Sequence, residues 1–153
     1  MKALLQRVKS GSVISNGELC GKISKGLVIL LGVAATDTEE DLEYIVNKTV
    51  NLRIFDDENG VMNLSVLETG GEALVVSQFT LLASTRKGRR PSYINAARPE
   101  LAVPMYESFI KKLREAGIHV ETGVFQTEMT VNIENDGPVT IMLDSSDRLL
   151  SRD

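Results

Sequence analysis

Apolar residues along the chain recur in short alternating or continuous segments, which predict a domain built mainly from β-strands. Residues 3–8 alternate weakly between apolar and polar side chains, as a half-buried strand does. Asn16-Gly17, the strongest two-residue hairpin signal, predicts a tight turn before a returning strand over 18–23. Residues 26–33 form an apolar run bounded by glycines, which favours a strand covered on both faces. Further strands are predicted over residues 52–55, 73–79, 118–121, 129–133 and 139–143.

Two segments have helical spacing. A capping box over residues 36–39 and apolar residues at 42, 45, 46 and 50 predict a helix over 37–51. A second helix is predicted over 99–116, with Gly117 as its C-terminal stop. Pro104 either removes a hydrogen bond from this helix or moves its start. Residues 145–153 are predicted to fray. The pattern predicts a single α+β domain over 1–153, a curled, mainly antiparallel, barrel-like sheet with two helices.

Composition narrows the class of protein. A chain of 153 residues with 42% hydrophobic residues is typical of one globular domain. The formal net charge of −4 argues against a protein that coats nucleic acid generally, although a local basic patch remains possible. A single cysteine, Cys20, excludes an intrachain disulfide and a cysteine metal cluster. Because the N-terminal segment is interrupted early by charge and no apolar run reaches the length of a membrane span, we expect a cytosolic protein with no membrane partner.

The available side-chain chemistry is sparse. The only histidine, His119, follows the second helix and is predicted to be exposed, so a Ser-His-Asp or Cys-His arrangement is not expected. The acidic turn over 56–60 lacks the ligand spacing of a calcium loop, and no other metal-ligand spacing or phosphate-binding glycine motif occurs, so no metal or cofactor is expected. Three mechanisms remain: a hydroxyl nucleophile at Thr80, backbone N–H groups near Gln78 and Phe79, or a group supplied by the substrate.

Two stretches combine polar residues with unusual backbone. Residues 77–81 (SQFTL) end an apolar strand in polar side chains. Residues 135–140 (NDGPVT) contain Gly137, which tolerates backbone angles closed to other residues, and Pro138, which lacks an N–H group. Since strand-like segments flank it, the second stretch is interpreted as a turn that breaks a β-hairpin and exposes its carbonyl groups. Alone, it is also compatible with an ordinary turn.

Both stretches resemble the signature motifs of the D-aminoacyl-tRNA deacylases, and the resemblance extends along nearly the whole chain. The supporting stretches are residues 6–8, 26–33, 52–55 and 87–92. One departure lies in residues 125–129 (FQTEM), where the family commonly carries small residues after the phenylalanine. If these positions line the entrance of the pocket, Gln126 and Thr127 change its substrate range or affinity.

The resemblance implies hydrolysis of the ester that joins a D-amino acid, or glycine mischarged on tRNA(Ala), to the 3′ end of tRNA. It implies a homodimer in which a cis Gly137-Pro138 peptide reaches into the partner's pocket and excludes L side chains. Because two enantiomers carry identical groups, a rigid wall discriminates them better than attraction does. Arg7 is expected to orient this peptide. Ser77, Asn135 and Met129 are the other implied substrate-binding residues.

For catalysis, the resemblance implies that backbone N–H groups near Gln78 and Phe79 stabilise the oxyanion while the vicinal 2′-hydroxyl of the terminal adenosine assists. Thr80 as a covalent nucleophile is the rival, although it lacks an evident base. The expected acceptor-stem contacts are Arg86, Lys87, Arg89 and Arg90, which could equally form a solvated loop. The partner is thus aminoacyl-tRNA rather than DNA. Two other classes remain open, a non-enzymatic RNA-binding or scaffold protein and a Thr80-dependent hydrolase of peptides or small esters.

Overall fold

A computed structural model describes residues 1–152 of the chain. Its strands are β1 Lys2–Ser15, β2 Glu18–Ile23, β3 Gly26–Gly32, β4 Phe55–Asp56, β5 Met62–Leu64, β6 Glu72–Ser77, β7 Val120–Thr122 and β8 Met129–Asp144. Its α-helices are α1 Glu39–Asn51, α2 Val66–Thr69 and α3 Pro99–Glu115, and two 3₁₀ helices cover Phe79–Leu82 and Ser145–Leu149. No helix among these residues is both long and apolar enough to cross a membrane.

The long strand β1 organises the main sheet. Its first half pairs with β3, its second half pairs with β2, and β8 pairs along its other edge, all antiparallel. Beyond β3 the sheet continues through β6 and β7 in parallel. Parallel neighbours need crossover connections, which α1 and α3 provide. The predicted α+β fold with a curled, barrel-like and mainly antiparallel sheet is confirmed, and its parallel edge was not predicted.

The local turn and strand signals near the N-terminus are confirmed. Asn16 and Gly17 have φ values of 51° and 77°, as the tight turn between β1 and β2 requires. In β3, six of seven residues are buried, because the sheet covers it at both edges and apolar clusters cover both faces. This strand therefore places Leu31, near its C-terminal end, beside the end of β6.

The predicted helices are confirmed with corrected starts and ends. The capping box predicted over 36–39 is wrong: α1 is capped by Thr38, whose backbone N–H donates to Asp41 Oδ2 at 2.9 Å. Asp37 is engaged elsewhere, since its carboxylate lies 2.6 Å from the Met1 ammonium. Pro104 lies inside α3, so it removes a hydrogen bond rather than moving the helix start. The short helix α2 was not predicted, although Ser65 and Glu68 form its capping box.

The predicted hairpin around Gly137-Pro138 is wrong, because residues 129–144 form one strand rather than two. β8 pairs with β1 on both sides of the motif: Gln6 lies opposite Thr140 and Val8 lies opposite Asn135. Four residues of β8 therefore face a single residue of β1, Arg7. Residues 136–139 form a large bulge in a continuous strand, held in place by pairing that no local pattern reveals.

The predicted fraying of the C-terminal segment is wrong for Ser145–Leu149. Ser145 is 1% exposed, donates to Asp41 Oδ1 at 2.7 Å and accepts from the Met1 ammonium at 2.8 Å. Arg148 also lies 3.7 Å from Asp41. These contacts tie the 3₁₀ helix to the start of α1. Asp153 lies outside the described residues.

Two apolar clusters lie on opposite faces of the sheet. Helices α1 and α3 cover the first face through side chains such as Leu42, Ile45 and Phe109. The second face buries Val8, Val13, Ile23, Val28, Leu74 and Val76. β6 contributes to both clusters, and a cavity lined by Ser77 and Pro99 lies between the C-terminal end of this strand and the start of α3.

Candidate active site

A cavity of about 340 Å³ opens where β6 ends. Its walls come from the ends of β3 and β6, the first turns of α3, the loop before α3 and the turn before β8. The lining residues are Leu31, Val33, Ser77, Gln78, Phe79, Tyr93, Ala96, Ala97, Pro99, Ala102, Tyr106, Phe125 and Gln126. No Asp, Glu, Lys, Arg or His is among the described lining residues. The cavity therefore suits an uncharged group with aromatic or apolar surface.

The motif over 77–81 forms the polar corner of this cavity. The Gln78 N–H donates to the Leu31 carbonyl at 2.8 Å, so this N–H group is already engaged by β3. Phe79 begins a 3₁₀ helix, and the first N–H groups of a helix have no acceptor within it. The backbone donors at this corner are therefore those of Phe79 and Thr80. That backbone N–H groups at this corner stabilise an oxyanion stays a prediction.

Thr80 has no nearby base. Gln78 Nε2 donates to Thr80 Oγ1, so the hydroxyl is held by an amide rather than by an imidazole. His119 lies 3.6 Å from Glu72 Oε2 at the opposite end of β6, and the length of that strand separates it from Ser77 by roughly 16 Å. His119 is 61% exposed, which confirms the predicted exposure. The arrangement does not resemble a hydroxyl nucleophile activated by a side-chain base.

Four aromatic rings form two walls of the cavity. Phe79 and Tyr93 make an edge-to-face pair with ring centroids 5.1 Å apart. Tyr106 and Phe125 lie 6.0 Å apart, and the Tyr106 hydroxyl donates to the Val75 carbonyl at 2.8 Å. Burial raises the pKa of Tyr106 to about 12, so it stays neutral. The cavity thus offers flat apolar surfaces at neutral pH.

Most residues of these walls were not predicted from the sequence. Tyr93, Ala96 and Ala97 belong to an irregular loop, whose position no periodicity predicts. One signal did exist: Ala102 and Tyr106 are four residues apart on a helix, so they share a face. In the structure, the first turns of this face line the cavity.

Arg7 and Asn135 hold the bulge that contains Gly137 and Pro138. Arg7 is 8% exposed, and its Nε donates to the Asp136 carbonyl at 3.2 Å while Nη1 donates to the Ile54 carbonyl at 2.9 Å. The Asn135 amide donates to the carbonyls of Arg7 and Val139 at 3.1 and 3.2 Å. Both side chains therefore bind the backbone on either side of the Gly-Pro peptide, which is cis.

The Gly-Pro corner and the cavity are separate within one chain. Gly137 and Pro138 are exposed and are not among the lining residues of the cavity. Met129 is also absent from the lining; it packs at the start of β8 against the second apolar cluster. The structure thus brings Ser77, Gln78 and Phe79 together at one place, and gathers Arg7, Asn135, Gly137 and Pro138 at another.

The predicted basic residues lie on the loop between the 3₁₀ helix Phe79–Leu82 and α3. All four, Arg86, Lys87, Arg89 and Arg90, are exposed. Backbone hydrogen bonds of 2.8 and 2.9 Å between Ser84 and Ser92 close the base of this loop. Within residues 1–152 these cations form no ion pairs, so their charge is free for an external anion. Ser92, at this closed base, directly precedes Tyr93, which lines the cavity.

Comparison with known proteins assigns this arrangement to a family. Residues 4–144 match the family model described as D-Tyr-tRNA(Tyr) deacylase. The chain is 58% identical to a D-aminoacyl-tRNA deacylase of Thermosipho melanesiensis, over 95% of this chain and 97% of that one. It is 55% identical to a D-aminoacyl-tRNA deacylase of Clostridioides difficile, over 95% and 98% of the two chains.

Two solved structures share the fold. One, described as c-Myc DNA Unwinding Element Binding Protein, superposes with a TM-score of 0.88 at 42% identity and covers 94% of this chain and 98% of its own. The other, a probable eukaryotic D-amino acid tRNA deacylase, gives a TM-score of 0.80 at 18% identity, over 93% of this chain and 97% of its own. At that identity the second likeness concerns the fold alone.

The fold is that of the D-aminoacyl-tRNA deacylases, and the chain belongs to this family. The predicted family and the predicted enzyme class, a hydrolase that removes an acyl group from tRNA, are confirmed by these matches.

Proposed function

We propose that this protein hydrolyses the ester between a D-amino acid and the 3′ end of tRNA, and likewise glycine mischarged on tRNA(Ala). The observation that carries this proposal is the cavity at the end of β6, an uncharged aromatic pocket without a side-chain base that is lined by Phe79, the first residue of a 3₁₀ helix. Such a site supports chemistry on an activated ester, because one oxyanion donor contributes about 2.7–4 kcal/mol.

In the proposed reaction, the ester carbonyl oxygen lies against the Phe79 and Thr80 N–H groups. Water attacks the carbonyl carbon, the bond to the ribose 3′-oxygen breaks, and the leaving 3′-oxygen takes up a proton. The neighbouring 2′-hydroxyl of the terminal adenosine assists, since the chain places no imidazole or carboxylate among the described lining residues. The Gln78 side chain holds the Thr80 hydroxyl and orders the corner.

Chiral selection is proposed to come from the Gly137-Pro138 backbone of a second copy of the chain. The segment is exposed, whereas its flanks are fixed by Arg7 and Asn135. An exposed but anchored backbone corner is a suitable steric wall, because it presents carbonyl groups and cannot be rearranged without breaking those contacts. In a homodimer the corner would enter the partner's cavity and exclude an L side chain. Glycine, with no side chain, would pass.

The proposed tRNA contacts are the four cations of the loop before α3. They lie on the loop that also supplies Tyr93 to the cavity wall, so a strand whose 3′ end enters the cavity would pass near them. Phosphate contacts add affinity that falls with salt concentration and does not depend on base sequence. This local patch is compatible with the overall charge of −4.

The test is a deacylation assay with D-tyrosyl-tRNA, L-tyrosyl-tRNA and glycyl-tRNA. We expect hydrolysis of the first and third only. No hydrolysis of any of them would favour an RNA-binding or scaffold protein. Equal hydrolysis of both tyrosyl enantiomers would favour a general ester hydrolase instead.

A subunit-mixing experiment tests the composite site. Ala102→Phe should fill the cavity, and Gly137→Ala should disturb the corner, since a Cβ there would lie 2.9 Å from Val139 Cγ2. We expect the Ala102→Phe homodimer to lose hydrolysis and the Gly137→Ala homodimer to hydrolyse relatively more L-tyrosyl-tRNA. In the mixed dimer the only open cavity receives the intact corner of the Ala102→Phe chain, so D-tyrosyl-tRNA should be hydrolysed and L-tyrosyl-tRNA rejected. A mixed dimer that hydrolyses L-tyrosyl-tRNA as readily as the Gly137→Ala homodimer would contradict the proposal.

A further inference from the structure

A single cavity-lining residue has a backbone conformation that its side chain rarely adopts. Among the described residues, only Asn16 and Gln126 combine a side chain with positive φ. Asn16 forms the hairpin turn, where asparagine is common. Gln126 has φ of 62° and lies at the exposed edge of the cavity. Unfavourable backbone of this kind is found at binding sites when the surrounding structure holds it.

Hydrogen bonds from two parts of the chain hold the turn around Gln126. Thr127 donates to the Val124 carbonyl through its N–H at 3.4 Å and through its hydroxyl at 2.9 Å. The Ser15 hydroxyl, at the end of β1, donates to Thr127 Oγ1 at 2.8 Å. The position of the Gln126 backbone is therefore set before any ligand enters.

The surroundings of Gln126 suit a nucleobase. The preceding residue, Phe125, packs near Tyr106, and the Phe79–Tyr93 pair forms another wall. Unpaired bases are commonly stacked on aromatic rings and recognised at their edges by hydrogen-bonding side chains. A glutamine carboxamide carries both an acceptor and a donor, which match the amino group and the ring nitrogen of adenine.

We propose that Gln126 is a specificity-determining residue that recognises the edge of the terminal adenine of the aminoacyl-tRNA. The inference rests on the proposed function, which requires the 3′-terminal adenosine to enter the cavity next to the reacting ester. The Gln126 carboxamide oxygen accepts from the adenine amino group, and its NH₂ donates to the adjacent ring nitrogen. The aromatic walls hold the faces of the base.

A binding experiment with matched analogues tests this pairing. The ligands are the D-tyrosyl amide of 3′-amino-3′-deoxyadenosine, which cannot be hydrolysed as an ester, and the same compound with an unsubstituted purine. We expect wild-type protein to bind the adenine compound about tenfold more tightly, as one good bidentate contact provides. Gln126→Ala and Gln126→Gly should bind the two compounds equally, because the loss of either partner removes the same contact.

Two variants distinguish the effect of the Gln126 side chain from that of its backbone conformation. Gln126→Ala keeps a Cβ at the unfavourable φ, whereas Gln126→Gly removes the Cβ and with it the backbone strain. If both variants lose the preference for adenine, the carboxamide is the group responsible for it. Asn16→Gly is the control, since it changes the other positive-φ residue in a turn outside the cavity lining. It should keep the wild-type preference.

Three outcomes would overturn the proposal. The first is a preference for adenine that survives in both Gln126 variants, and the second is equal binding of both compounds by the wild type. The third is a loss of affinity in the Gln126 variants that occurs with the D-tyrosyl amide but not with the D-alanyl amide of 3′-amino-3′-deoxyadenosine, which is measured as a further ligand. The last result would mean that Gln126 contacts the amino-acid side chain. Each of these can occur while the wild-type protein hydrolyses D-tyrosyl-tRNA, so they leave the proposed function intact. Absence of that hydrolysis would instead reject both.

Discussion

The clearest energetic prediction concerns Arg7, whose guanidinium joins the Gly-Pro bulge to the segment before β4. Arg7→Ala removes two charge-assisted hydrogen bonds, of 2.9 Å to the Ile54 carbonyl and 3.2 Å to the Asp136 carbonyl. It also removes two ion pairs at 3.5 Å, with Asp56 and Asp136. The bulge would then be held mainly by Asn135.

The expected loss follows from burial. Hydrogen bonds to a charged donor contribute about 1.5–3 kcal/mol each, so the two lost bonds alone predict a loss of about 3 kcal/mol or more. The ion pairs add little: the carboxylates of Asp56 and Asp136 are 51% and 38% exposed, and pairs of this kind contribute at most about 1 kcal/mol. We therefore expect the free energy of unfolding to fall by about 3 kcal/mol.

Urea denaturation of Arg7→Ala measures this loss, with Arg53→Ala as the matched control. Arg53 also donates through Nε to a backbone carbonyl, that of Asn63 at 2.8 Å, but it is exposed, so water replaces the contact. We expect the control to lose less than about 1 kcal/mol. Equal losses in the two variants would refute the reasoning. In the deacylation assay, Arg7→Ala should also hydrolyse relatively more L-tyrosyl-tRNA, because the corner is no longer fixed.

Three further predictions concern catalysis, tRNA binding and pH. Thr80→Ala should retain most deacylase activity in single-turnover kinetics, since no base activates its hydroxyl; a loss of several thousandfold would restore Thr80 as nucleophile. The double variant Arg89→Ala, Arg90→Ala should reduce the dependence of log affinity for tRNA on log salt, and an unchanged slope would remove this loop from the interface. Burial raises the pKa of Tyr106 to about 12. Below pH 10 its contribution to stability is fully present, and it is lost as pH rises to about 12. Tyr106→Phe should therefore weaken the fall in stability over that range in denaturation experiments, and an unchanged pH profile would contradict it.

Local sequence patterns predicted those features that depend on near neighbours. The Asn16-Gly17 turn, the glycine-bounded strand β3 and the helical faces of α1 and α3 all follow from backbone preference and periodicity. The polar end of β6 was also identified, because three polar residues after an apolar run stand out without knowledge of the fold.

Tertiary pairing decided the rest. The local sequence of residues 135–140 predicts a turn. In the structure, β1 pairs with the segments of β8 on both sides of this motif, so they form one strand. From the sequence alone, the Gln78 N–H group is a free donor. In the structure it donates to the carbonyl of Leu31 in β3.

The cavity has the same origin. Its walls come from residues 31–33, 77–79, 93–106 and 125–126, which are distant in sequence. The periodicity of apolar residues indicates which face of a helix or strand is buried. Which residues pack against that face depends on how elements distant in sequence are arranged in the fold. The sequence by itself therefore determined the elements that depend on near neighbours, and the three-dimensional packing determined how those elements pair and which of their polar groups remain free to meet a ligand.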